Sequence, residues 1–164
     1  MNTAEIRHIY ISPIHNSRDN FYNDAPMEER AEVLCQSGSG IVGDRYFNHK
    51  IDYKGQITFF AEETANRIRE QFGLPMLFSG EFRRNVVTAE LDLNELIGVE
   101  FELQGVRFFG TEEARPCEWM NQLVAPGVRD ALEGRGGLRA RILSNGRLQT
   151  GPANWRRVQG ELFA

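Results

Sequence analysis

Short β-forming runs cut by glycine turns fill this chain and leave room for one good helix, which restricts it to folds built on strands. Residues 5–12 (EIRHIYIS) alternate, with Ile6, His8 and Tyr10 on one side and Ile9 and Ile11 on the other. Residues 30–36 (RAEVLCQ) set Ala31, Val33 and Cys35 on one face before SGSG breaks the run, and 55–60 (GQITFF) read as a buried strand. Further strands are predicted at 85–90, 99–104 and 105–110, the last two meeting in a turn at Gln104-Gly105. Another falls at 138–144, where Asn145-Gly146 marks a hairpin that returns through 147–150, and Trp155 to Val158 then closes the sheet. The helix is 61–72 (AEETANRIREQF): Ala61, Ala65, Ile68 and Phe72 share one stripe, acids lead, arginines follow and Gly73 stops it. A helical turn at 92–97 and short helices at 117–124 and 127–133 complete the set. The pattern predicts a mainly β protein with peripheral helices: a closed or nearly closed mixed β-barrel, with the helix stripe facing it.

A chain of 164 residues supplies one core, so residues 1–164 read as a single domain. The formal charge of −4 gives no general attraction to nucleic acid or to an anionic membrane. No run is long and apolar enough to span a bilayer, and MNTAEIRHIYIS lacks the apolar core of a signal peptide. Two cysteines without a secretory context predict free thiols in a reducing cytoplasm. Among nineteen basic residues only Lys50 and Lys54 are lysine, and arginine's planar donor fork suits phosphate or carboxylate. Neither common glycine-rich nucleotide loop is present, no two histidines share a metal-ligand spacing, and no serine has an evident histidine partner.

Three stretches concentrate polar chemistry beside turns. In GIVGDRYF (40–47) the glycines permit close backbone approach, and Asp44 with Arg45 either orients a ligand or caps a turn. In GEFRRN (80–85) strand alternation predicts that one of Arg83 and Arg84 turns inward beside Asn85 while the other faces solvent. In EEARPCEWM (112–120) Pro116 stiffens the turn, and Arg115 with a following helix favours a reactive Cys117. Glu112, Glu113 and Glu118 oppose it. On the residues alone, Cys117 is a reactive thiol or a small apolar filler; Cys35, inside an alternating run, reads as core.

Taken in order, GIVGDRYF, QITFFAEE, FRRNVVTAELDLNELIGVEFELQGVRFFGTEEARPCEWM and GRGGLRARILSNGRLQTG resemble the MOSC domain, named for the C-terminal domain of molybdenum cofactor sulfurases. The resemblance runs from about Ser37 to about Gly151 and implies a stand-alone, single-domain member. It departs where many relatives have Gly-Asp and this chain has Gly151-Pro152, and it does not cover the polar loop at 13–26.

The resemblance implies a β-barrel that binds molybdenum cofactor (molybdopterin) or carries sulfur to it. Cys117 takes the family's cysteine position, as molybdenum ligand and catalytic residue or as the bearer of a persulfide. Gly43, Asp44, Arg45, Arg83, Arg84 and Asn85 fall on family motifs and would line one cleft with Cys117, with Arg115 and Arg139 as weaker partners. The readings are a reductase of small N-hydroxylated compounds, a sulfur-delivery module (oxidoreductase or sulfurtransferase) and a non-catalytic binding module. The partners implied are a small-molecule substrate and an electron-donor or cofactor-delivery protein. Pyridoxal phosphate belongs to a separate domain of larger relatives; a Schiff base here would need Lys50 or Lys54, both in a polar loop, which argues against it.

Overall fold

A computed structural model describes residues 2–13 and 26–159, and the loop expected at 13–26 lies almost wholly outside them. The strands are β1 (Asn2–Ile11), β2 (Glu28–Arg30), β3 (Glu32–Gln36), β4 (Gly40–Ile41), β5 (Ile57–Ala61), β6 (Val86–Ala89), β7 (Glu100–Leu103), β8 (Val106–Glu113), β9 (Leu138–Ile142), β10 (Gly146–Gln149) and β11 (Gly151–Arg157). The helices are α1 (Glu62–Gln71), α2 (Trp119–Leu123) and α3 (Val128–Ala131). Seven strands in the order β11-β7-β8-β9-β5-β6-β1 close on themselves, because β11 pairs with both β7 and β1. Trp155 stands at that seam, opposite Leu103 on one side and Asn2 on the other, as the sequence predicts.

The ring is antiparallel except for β5 and β6. A parallel pair cannot be joined by a tight turn, and α1 supplies the crossover between them. Inside the ring, Phe59 meets Phe101 and Phe108 edge-on at centroid distances of 5.8 and 5.3 Å, among Ile6, Ile9, Leu138 and Ala153. The α1 stripe does not reach this core. Ala65 and Ile68 pack with Phe60, Phe82, Met120, Val128 and Leu132 in a second cluster outside the wall, and Phe72 leans on it. Ala61 ends β5 and packs against the barrel core instead.

Two sequence expectations fail for reasons of register. Ile6 and Ile9 both face the core, although strict alternation separates them, because the β1–β6 ladder slips between Ile6 and His8. Asn145-Gly146 makes no hairpin: neither residue has the positive φ that a type I′ turn requires. β10 pairs with β3 rather than β9, in a small sheet β10-β3-β4 that buries Leu148 against the barrel. The tight hairpin is the one at Gln104-Gly105, with φ of 49° and 81°, joining β7 to β8. No helix among the described residues is long and apolar enough to cross a membrane.

Candidate functional site

The segment between β4 and β5 is a chain of turns, and a buried carboxylate organises its start. Asp44 accepts hydrogen bonds from the backbone N–H of Ser12 at 3.0 Å and of Tyr46 at 3.2 Å. Those bonds tie the turn to the end of β1. Arg45 lies 3.8 Å from the Asp44 carboxylate, with its guanidinium 4.7 Å from the centre of the Tyr46 ring. Tyr46 in turn stacks on Tyr53, centroids 5.4 Å apart. Gly43, at φ 91°, provides the turn. Neither Gly43 nor Asp44 lines the cleft; they position Arg45 and Tyr46, which do.

Arg83 and Arg84 precede β6 rather than belonging to it, so strand alternation does not apply to them. A 3-10 turn at Ser79–Phe82 ends with Arg83 in the left-handed region (φ 60°, ψ 36°), and both side chains line the cleft. Arg84 spends each of its nitrogens on a backbone carbonyl: Nε to Gly136 at 2.9 Å, Nη1 to Phe82 at 3.1 Å and Nη2 to Ala114 at 2.8 Å. Asn85 is buried and faces the other way. Its Oδ1 accepts from the N–H and the hydroxyl of Thr58, at 3.0 and 3.1 Å, and its Nδ2 donates to the Tyr10 carbonyl at 3.1 Å. It fastens β1 to β5 and leaves Thr58 on the cleft.

Cys117 is exposed, at the end of the turn that follows β8, and it lines the same cleft. The helix expected from 117 begins at Trp119, so Cys117 stands ahead of it and contributes only a carbonyl, which accepts from the Met120 N–H at 2.9 Å. The three glutamates near the thiol are engaged elsewhere. Glu112 pairs with Arg139 at 3.0 Å, Glu113 accepts the Gly136 N–H at 3.1 Å, and Glu118 pairs with Arg129. Arg139 also donates to the Tyr53 hydroxyl at 2.9 Å; Gly55 makes room for it, since a Cβ there would stand 2.7 Å from its Nε.

The result is an open cleft of about 470 Å³. Arg45, Arg83, Arg84, Arg115 and Arg139 line it with Tyr46, Tyr53 and Thr58, while Trp119, Met120 and Leu123 supply an apolar wall beside Cys117. Burial, and then the charge of Arg45, hold the Arg83 guanidinium below its ordinary range, at about 10. Burial brings Arg84 to about 10 as well and pushes the Tyr53 phenol up. A concave surface with this cation excess is suited to an anion. Among the described residues, no three His, Cys, Asp or Glu side chains gather closely enough to hold a metal ion by themselves. Lys50 and Lys54 are not among the residues lining the cleft.

Of the residues singled out by sequence, the cleft therefore gathers Arg45, Arg83, Arg84, Arg115, Arg139 and Cys117. Asp44 and Asn85 stand behind it as buried anchors. Sequence reasoning missed Tyr53, Thr58, Trp119 and Leu123 as cleft residues. Only Trp119, two positions from Cys117, carried a local signal.

The family model of the MOSC domain matches residues 43–153. No curated protein sequence matches the chain. Its fold is similar to the crystal structure of the YUAD protein from Bacillus subtilis, with a TM-score of 0.76 and 19% identity over 96% of this chain and 98% of that one. YiiM from Geobacillus stearothermophilus gives a TM-score of 0.71 and 16% identity, over 95% of this chain and 75% of that one. YiiM from Escherichia coli gives 0.62 and 12%, over 93% of this chain and 71% of that one. At these identities the likeness is one of fold.

Proposed function

This chain belongs to the MOSC domain family, and from that premise we propose that it binds molybdenum cofactor in the arginine-lined cleft and reduces a small N-hydroxylated compound there. The observation that supports the reading is an exposed thiol, Cys117, on a cleft whose charged lining is mostly arginine. The donor set fits the group. A thiolate is a soft ligand suited to molybdenum, and guanidinium forks suit the cofactor's phosphate. When bound, the cofactor supplies two-electron redox chemistry at its metal.

The protein's own contribution is positional. Cys117 is the protein ligand, and Arg45, Arg83 and Arg115 hold the anionic end of the cofactor. Trp119 and Leu123 give the cleft apolar surface near the thiol, and Tyr46 with Tyr53 adds aromatic lining that carries hydroxyl groups. The Tyr53 hydroxyl accepts from Arg139, and burial pushes the phenol further above its ordinary value, so it carries its own proton near neutral pH. That proton is available at Oη for the oxygen that leaves when an N–O bond is reduced.

A second reading uses the same thiol. Because Cys117 is exposed, it is open to a partner protein, as a persulfide carrier must be. Protein purified from molybdenum-replete cells separates the two. Metal and pterin near one per chain, lost in Cys117→Ser, support the reductase. Metal-free protein whose Cys117 peptide is heavier by one sulfur atom supports the carrier and defeats the first reading.

A further inference from the structure

The loop between Tyr46 and Tyr53 borders the cleft, since both tyrosines line it and the residues between them do not. Ile51 in this loop is 98% exposed, the highest value for a large apolar side chain among the described residues. Single exposed apolar residues are ordinary on protein surfaces. What sets Ile51 apart is the bracing of the backbone on either side of it. The Asp52 carbonyl accepts from Arg141 Nη2 at 3.2 Å, and the Lys54 carbonyl accepts from the Thr111 hydroxyl at 2.7 Å. Asn48 donates its N–H to the Ser39 carbonyl at 3.0 Å. His49 meets the Tyr46 and Tyr53 rings edge-on, at centroid distances of 5.4 and 4.8 Å. Asn48 and Asp52 turn the chain at φ 55° and 53°, in the left-handed region that Asn and Asp tolerate better than most residues. An apolar knob on a braced turn loses little freedom when it is covered, so it binds at lower entropic cost than the same residue on a loose loop.

The charge around the knob is positive. Lys50 and Lys54, the chain's only lysines, flank Ile51, and both are exposed. Asp52 is exposed between them and offsets one of the two. Beside the loop, five arginines and two glutamates line the cleft, in a chain whose formal charge is −4. The lysines lie outside the cleft lining, so an anion bound in the cleft does not occupy them. The complement of this surface is an acidic one with an apolar centre.

We propose that the loop from Asn48 to Lys54 docks an acidic one-electron carrier protein, with Ile51 as the apolar anchor and Lys50 and Lys54 as the steering charges. This rests on the reading of the cleft as a site of reduction. Converting a hydroxylamine to the amine and water consumes two electrons and two protons, so such a carrier docks twice per turnover and leaves oxidised each time. Tyr53 belongs to the loop and lines the cleft, so a carrier seated on Ile51 stands beside the place of reduction.

The probe is a plant-type ferredoxin, an acidic one-electron carrier, titrated into the protein at low salt with binding read by calorimetry. Ile51→Ser should raise the dissociation constant about fivefold or more, and Lys50→Glu combined with Lys54→Glu about tenfold or more. These side chains are exposed, so both variants should keep the wild-type melting temperature. Ferredoxin that does not bind the wild type overturns the proposal, and so does either variant binding within about twofold of the wild type. The assay needs no molybdenum. Metal-free protein that binds ferredoxin through the loop would defeat the proposed function and leave the docking surface standing. Molybdenum-loaded protein whose loop variants bind like the wild type would defeat the docking surface alone.

Discussion

Arg45 and Arg83 reach one cleft from two different turns, and the charge of Arg45 adds to burial in holding the Arg83 guanidinium near 10. Arg83 also sits at φ 60°, a conformation that L side chains rarely adopt. Like charges that meet at one cleft are relieved by a bound anion. Inorganic phosphate should therefore stabilise the protein. At ten times its dissociation constant it would add about 1.4 kcal/mol, or roughly 3 to 6 °C in melting temperature. Arg45→Gln and Arg83→Gln should each remove most of that shift. A phosphate shift that survives both substitutions would place the anion elsewhere.

The two cysteines should differ sharply toward alkylation. Cys117 is exposed, while Cys35 is 3% exposed and burial pushes its thiol up to about 12. Reactivity follows access and thiolate fraction together, so Cys117 should label about a hundredfold faster or more at neutral pH. Site-resolved mass spectrometry during a timed reaction gives both rates. Equal labelling would return Cys117 to the role of filler.

Much of the barrel was legible because its signals are local. The α1 stripe, the Gln104-Gly105 turn and the closing run around Trp155 each depend on a few adjacent residues. What failed depended on distant partners. Asn145-Gly146 has the composition of a hairpin, yet β10 pairs with β3 and carries Leu148 into the core. The slip in β1 that re-aims Ile6 is set by the β6 ladder and leaves no mark in EIRHIYIS. The site divides the same way. Asp44 reads in sequence as ligand-orienting or turn-capping, and its buried carboxylate caps the turn. Asn85, which the family resemblance sets in the cleft, is buried and holds Thr58 and the Tyr10 carbonyl instead. Tyr53 and Thr58 have no pattern around them, and partners distant in sequence, Arg139 and Asn85, hold them at the cleft.

Gly136→Ala should damage the thiol turn specifically. The added methyl has no room, with the Ala114 carbonyl oxygen at 2.2 Å and Pro116 Cδ at 2.7 Å, and backbone cannot yield as a flexible side chain does. Overpacking of this kind costs about 1 to 3 kcal/mol. Gly73→Ala makes a useful comparison, because nothing stands within 4 Å of its Cβ and its only burden is φ 64°. Both should melt earlier than the wild type, but only Gly136→Ala should change the Cys117 alkylation rate. Unchanged thiol chemistry in Gly136→Ala would mean that the turn does not depend on its seat.

The buried thiol gives a pH dependence whose sign is fixed. Cys35 has an ordinary value of 9.0 when unfolded and about 12 when folded, because burial disfavours its thiolate. Below pH 9 both states hold the proton, and the thiol's contribution to stability is fully present. Between 9 and 12 the unfolded state releases the proton first, so stability falls as pH rises, and it is lost by the folded value. Arg83 and Arg84, both lowered to about 10, act in the opposite direction in the same alkaline range, since there the unfolded chain binds more protons. A comparison with Cys35→Val cancels that term, because both proteins keep the arginines and valine fills a similar volume without titrating. The melting temperature of the wild type minus that of Cys35→Val should be constant up to about pH 8 and should decline by about pH 10.5. A difference that stays flat or grows over that interval would mean that Cys35 is not buried as a neutral thiol in the β3 face of the core.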